Sequence, residues 1–173
     1  MASIKYGCLN PNAKTKEYPV AASQYFAHEG FNPVLLDGSG NLIGALDAST
    51  TLLGVAIIPK GRGNATNTSD AYWMSSATAA KDKLPVVLGV DGEQFLAPTG
   101  TSAQADTTVA AATHVGNAYN VTGANTATSH WVDLGETDIG NVIIMDLGVN
   151  VHTDAAVTDA VVIINPTLIQ ADT

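Results

Sequence analysis

The sequence predicts an all-β, mainly antiparallel domain: a small β-barrel or sandwich with one or two short helices and an irregular N-terminal arm. Three observations point there. Short runs of β-branched and aliphatic residues recur after Pro33. Turn signals rich in Gly, Asn and Asp separate those runs at short intervals, and strand candidates outnumber helix candidates. At 173 residues a single domain buries roughly 68–70% of its unfolded surface, enough for a real core.

Residues 1–33 read as the arm, and 34–173 as the barrel or sandwich. Asn10-Pro11-Asn12, Tyr18-Pro19 and Asn32-Pro33 discourage long regular elements in the arm. One short helix is expected from Pro19 to Glu29, with proline at its first position and Gly30 just past its end. Tyr6, Tyr18, Tyr25, Phe26 and Phe31 make the arm aromatic without periodicity. That combination suits a docking segment as well as one folded back on its own core.

From Pro33 onward the punctuation is β-like. Val34-Leu35-Leu36-Asp37, a Gly38-Ser39-Gly40 loop and Asn41 to Leu46 read as a hairpin. Thr51 to Ile58 is a strand ended by Pro59. Pro85 to Val90 and Glu93 to Ala97 flank Asp91-Gly92, the dipeptide of a type I′ hairpin turn. Later strands are expected at Ala118–Val121, His130–Leu134, Asn141–Leu147 and Ala160–Ile164. Ser69 to Lys81 reads as a short helix capped by Ser69 that buries Tyr72, Trp73 and Met74. Thr107 to His114 is alanine-rich and fits helix and strand equally. Alternation puts Leu53, Val55 and Ile57 on one inward face, opposite Val87, Val142, Ile144 and Val162.

Charge is the strongest compositional signal. All seven Lys and Arg lie between Lys5 and Lys83, beside six acids, so that half is about +1. From Leu84 to Thr173 there are ten carboxylates and no Lys or Arg. The acidic half repels nucleic acid, anionic membrane and its own copies at long range, which argues against nucleic-acid and membrane partners. Only 13% of residues are charged, about half the usual share. Such a small-residue, polar surface suits close packing in an assembly. Met1-Ala2-Ser3-Ile4-Lys5 is followed by no apolar run, so no secretory leader is expected. No stretch approaches the ~18 apolar residues of a membrane helix. Cys8 stands alone and excludes an internal disulfide.

The candidate chemical motifs are weak. His28, His114, His130 and His152 lack local metal spacing. His152-Thr153-Asp154 supplies one ligand pair at most. Asp37-Gly38-Ser39-Gly40-Asn41 begins like a calcium loop, but Leu42 and Ala48 stand where glycine and glutamate are needed. Lys60-Gly61-Arg62-Gly63 lacks the ending that grips phosphate and reads as an exposed loop. Asp133, Glu136 and Asp138 straddle Gly135 without a lined cleft, so glycosidase chemistry is not expected. No enzyme and no cofactor are expected.

Asn32-Pro33-Val34-Leu35-Leu36-Asp37-Gly38-Ser39-Gly40-Asn41-Leu42-Ile43-Gly44, followed by Leu53-Gly54-Val55-Ala56, resembles the entry to a tailed-bacteriophage capsid decoration (cement) protein. Gly116 to Val121, Trp131 to Leu134 and Asn165 to Gln170 are similar in style to phage head proteins. The resemblance implies a structural protein made in the host cytoplasm and carried on the capsid exterior of the virion. Its partners would be the major capsid protein and itself, as a homotrimer. The charge split assigns Lys5, Lys14, Lys16 and Arg62 to partner binding, and the aromatic arm adds Tyr6, Tyr18, Tyr25 and Phe26. The alternative is a carbohydrate- or receptor-binding β-module, with Trp131 and Tyr119 as its aromatic platform.

Overall fold

The computed structural model describes residues 6–28, 30–46, 49–58, 72–101, 104–105, 110–123, 130–148 and 159–171. The chain is mostly β, as expected. Its strands are β1 (Gly7–Cys8), β2 (Lys16–Pro19), β3 (Tyr25–Ala27), β4 (Pro33–Leu36), β5 (Leu42–Gly44), β6 (Gly54–Ala56) and β7 (Tyr72–Met74), then β8 (Lys83–Leu88), β9 (Phe95–Thr101), β10 (Gln104–Ala105), β11 (Ala118–Thr122), β12 (Trp131–Asp133), β13 (Val142–Leu147) and β14 (Asp159–Ile164). Among the described residues the helical segments are three-residue 3-10 turns at Gly89–Asp91, Ala112–His114 and Pro166–Leu168.

The pairing partners trace two closed circuits. In the first, β9 pairs β12 in parallel, and the remaining pairs, β12–β11, β11–β13, β13–β14 and β14–β9, are antiparallel. The circuit returns to its starting strand, which leaves no continuous edge. β1 lies along the N-terminal part of β9, with Gly7 opposite Leu96. In the second, the order is β2-β8-β6-β4-β5. Val20, just after β2, bridges Leu42 of β5 in parallel, and Ala21 N–H donates to Leu42 O at 3.0 Å. That bridge brings the two ends of the sheet together.

Each circuit encloses a core, and they share a layer. Phe31, Phe95, Val121, Val132, Val142, Ile144 and Val162 pack in the first. Tyr18, Phe26, Leu42, Leu53, Trp73, Leu84 and Val86 pack in the second. Neighbouring residues of the middle strands divide between them. On β8, Leu84 and Val86 enter the second core and Val87 the first. On β4, Val34 and Leu36 enter the second, while Leu35 packs against the first. Alternation along a strand thus serves two cores rather than one core and solvent.

Buried and half-buried polar contacts fasten the junction. The Gln170 side chain brackets Leu36, accepting from its N–H at 2.6 Å and donating to its carbonyl at 3.0 Å. Asn141 Nδ2 donates to Ser49 O at 3.0 Å. His130 sits with Nε2 2.7 Å from Ala45 O, so that nitrogen carries the proton and donates. Glycine opposite its ring is required: a Cβ on Gly123 would lie 2.5 Å from His130 Cδ2.

Several expectations are corrected. Residues 7–33 do not stand off as an irregular arm; they supply β1 to β3 and the buried side chains Tyr18, Val20, Phe26 and Phe31. The helix expected from Pro19 to Glu29 is replaced by the ends of β2 and by β3. Ser23, at φ 54, leaves the right-handed region in the middle of that run. The buried Asn32 amide then binds both backbone groups of Ala27, accepting at 3.0 Å and donating at 2.9 Å. The helix expected from Ser69 to Lys81 is a strand at Tyr72–Met74, paired with β3; its proposed cap, Ser69, lies outside the described residues.

The Asp91-Gly92 hairpin is also absent. Gly89–Asp91 makes a 3-10 turn, only Gly92 takes the left-handed conformation (φ 67), and β8 and β9 enter different sheets. The hairpin of β4 and β5 is present, with Leu36 opposite Leu42. Leu53 and Val55 are both buried but in different cores, and Ile57 is 36% exposed. Gly54 lies between them with its Cα against the Val87 carbonyl, where a side chain has no room. Val87, Val142, Ile144 and Val162 share the first core with Val55.

Candidate partner-binding surface

The linear charge split becomes a spatial one. The first circuit is built mainly from strands after Leu84, the second from strands up to Leu88. Among the described residues the cations are Lys14, Lys16, Lys81 and Lys83, all exposed. All four lie on or beside the β2–β8 ribbon, where Lys16 faces Val86 and Lys83 faces Pro19. Glu17 and Asp82 are the ribbon's acids, and Asp82 Oδ2 is engaged by Ser76 N–H at 2.7 Å.

The residues expected to bind a partner separate into three groups. Lys5 and Arg62 lie outside the described residues. Lys14, Lys16 and Tyr25 reach the surface. Lys14 lines a shallow cleft of about 340 Å³ with Asn10, Asn12, Asp91 and Glu93. Lys16 Nζ lies 5.2 Å from the Tyr18 ring centroid, a cation–π distance. Tyr25 is half-buried and packs against Tyr72 at 5.6 Å.

Tyr6, Tyr18 and Phe26 serve the fold. Tyr18 is 5% exposed and Phe26 1%, the latter stacked on Trp73. They are unavailable to a partner while the domain is folded. Tyr6 is half-buried against the first core, and its hydroxyl donates to Asp159 Oδ1 at 2.9 Å. Asp159 is 1% exposed, and among the described residues its Oδ2 has no hydrogen-bond partner. Burial raises the Asp159 pKa, and the Tyr6 hydrogen bond opposes that rise. Lys81 and Lys83 were not singled out from the sequence. Their signal exists only once β8 is known to pair with β2.

The remaining titratable motifs are structural. Asp37 Oδ1 accepts from Ser39 N–H at 2.8 Å and Asn41 N–H at 2.9 Å, closing the β4–β5 loop. Those donors, the Asn41 backbone first, hold its pKa below the usual value. Asp133 is 1% exposed and accepts from Gly135 N–H at 2.9 Å. Asp138 Oδ1 accepts from Asn120 Nδ2 at 2.6 Å, while Glu136 and Asp138 remain exposed. Burial pushes the Cys8 thiol up, away from the reactive thiolate. His152 and Asp154 lie outside the described residues.

The sugar-binding platform is incomplete. Trp131 is half-exposed, its indole N–H donating to Thr101 O at 2.9 Å. Tyr119 is only 6% exposed, with His114 edge-on to its ring at 5.7 Å. Two rings cannot stack on one sugar face when one of them is in the core. Compared with known protein families, curated proteins and solved structures, the chain matches none.

Proposed function

We propose that this chain is a structural protein of a virus particle. It binds the outer surface of an icosahedral phage capsid, stabilises the shell and assembles with its own copies, as a trimer. One observation carries the reading: the described lysines lie on or beside the β2–β8 ribbon of an otherwise acidic molecule, with Lys16 on one face of it and Lys83 on the other. The resemblance of residues 32–58 to decoration proteins supports the same reading. A shell exterior is commonly acidic, and the ribbon is the surface that can approach it. Charge then orients the protein, while apolar contact supplies most of the affinity. Repetition over many shell sites makes modest single contacts sufficient.

The test is a titration of purified chain against expanded phage capsids at two salt concentrations. Saturable binding that weakens only mildly in high salt is expected. An absence of binding, or a docking interface lined by the back-half carboxylates, refutes the proposal.

A further inference from the structure

Like charge forbids some self-contacts and favours others. Two copies cannot meet acidic circuit to acidic circuit without repulsion. A symmetric contact through the ribbon brings lysines together. The unlike pairing is head-to-tail, ribbon of one copy on acidic circuit of the next.

Both halves of such a contact combine charge with exposed apolar surface. On the ribbon, Lys83 stands across from Pro19 and Glu17 across from Pro85, so Lys81 and Lys83 outnumber the one exposed acid of that face; Ile57 N–H donates to the Pro85 carbonyl. Pro19 and Pro85 are half-buried, and Ile57 is 36% exposed. On the acidic circuit, Met145 is 42% and Val115 39% exposed. Gly116 N–H donates to Ile144 O at 2.8 Å and Ile144 N–H to Asn117 O at 3.1 Å, which brings these two segments together. The β13–β14 register shifts between Ile144 and Asp146, leaving Met145 and Asp146 on the surface. Asp146 Oδ1 accepts from Leu147 N–H at 2.8 Å, which fixes the carboxylate.

We propose that the β2–β8 ribbon docks on the Val115–Met145–Asp146 patch of a second copy of this chain, making a head-to-tail contact. A contact of this kind is heterologous: it closes into a ring or runs on as a fibre according to its rotation. The apolar residues supply affinity, and the opposed charges set register and partner. The contact uses the ribbon that the shell reading gives to the capsid, so in any one copy the two contacts exclude each other, and the self-contact needs no shell. Failure of shell binding therefore leaves it standing.

The experiment is sedimentation velocity on the purified full chain, at low salt and at about 0.5 M salt. Concentration-dependent oligomers are expected at low salt and fewer at high salt. Lys83→Glu and Asp146→Lys should each weaken association about tenfold or more, because each sets like charges opposed. Both substitutions in one chain should restore association, since every contact again joins opposite charges. A symmetric contact shows no such rescue. Far-UV circular dichroism melts check the fold, and Lys81→Glu serves if Lys83→Glu does not fold. A chain monomeric up to about 100 µM, association indifferent to both reversals, or a double variant no tighter than the single ones overturns the proposal.

Discussion

Acid should loosen the junction between the two circuits, and His130 sets the pH at which this happens. The ring is 2% exposed, and burial lowers its pKa from 6.5 to about 4, partly offset by the bond to Ala45 O. The folded state therefore holds a neutral imidazole where the unfolded chain would already be protonated. Between pH 6.5 and about 4 the unfolded state binds more protons, so stability rises with pH across that window. The contribution is fully present above pH 6.5 and is lost as pH falls to about 4. At about 1.4 kcal/mol per pH unit, that interval is worth about 3 kcal/mol, a large share of a typical domain's stability. Asp159 acts in the opposite sense. Its raised pKa makes protonation easier in the fold, so its burial penalty is relieved as pH falls. The comparison that isolates His130 is urea unfolding of the native chain and of His130→Gln, at intervals from pH 4 to 7. Gln can still donate to Ala45 O but does not titrate. The native chain should lose about 3 kcal/mol more than the variant across this range. Equal slopes would show that His130 does not govern acid sensitivity.

Deleting residues 1–33 should abolish the cooperative melt followed by circular dichroism, because β1, β2, β3 and Phe31 go with them; a truncated chain that still melts cooperatively would restore the separable arm. Phe31→Ala should cost about 3–5 kcal/mol in urea unfolding, as Phe31 is fully buried against Phe95 at 6.5 Å. Tyr6→Phe should cost about 1–3 kcal/mol. That loss should be larger at pH 7 than at pH 4, because the hydroxyl stabilises the ionised Asp159; a pH-independent loss would count against this pairing. Gly54→Ala should destabilise by at least as much as an overpacked core, about 1–3 kcal/mol or more, because its Cβ meets the Val87 carbonyl.

Local signals located strands well and helices poorly: both expected helices are strands. The Asp37 to Asn41 loop joins neighbouring strands and carries its own turn chemistry, so its hairpin was legible. The strands at Ala118–Thr122, Trp131–Asp133, Val142–Leu147 and Asp159–Ile164 were legible as β-branched runs between turns. What failed was pairing at a distance. Tyr25 meets Met74, and neither segment shows alone that it is half of a ribbon. Asp91-Gly92 matched a hairpin because the dipeptide cannot report whether its flanking strands share a sheet. The alternation of Leu53, Val55 and Ile57 misled because β6 is only Gly54–Ala56: Leu53 precedes it and Ile57 follows it, so strand alternation does not run through all three. The candidate surface was half legible for the same reason: Lys14 and Lys16 stood out, whereas Lys81 and Lys83 join them only through the β2–β8 register.

The order of strands along the chain also sets an order of events during synthesis. β1 is made well before its partner β9, which lies more than eighty residues later, with Gly7 opposite Leu96. Strands β2, β4, β5, β6 and β8 of the other circuit all emerge in that interval. A ribosome-bound chain can therefore complete the second circuit while β1 still has no partner strand. The first circuit must then wait for β14, which pairs β9 and ends at Ile164. Long-range pairing of this kind places folding in the slow range of about milliseconds to seconds. Until β9 emerges, the inner faces of Val55 and Val87 remain uncovered. That interval is when this protein is most exposed to aggregation and to chaperones, and β1 waits through all of it for its partner.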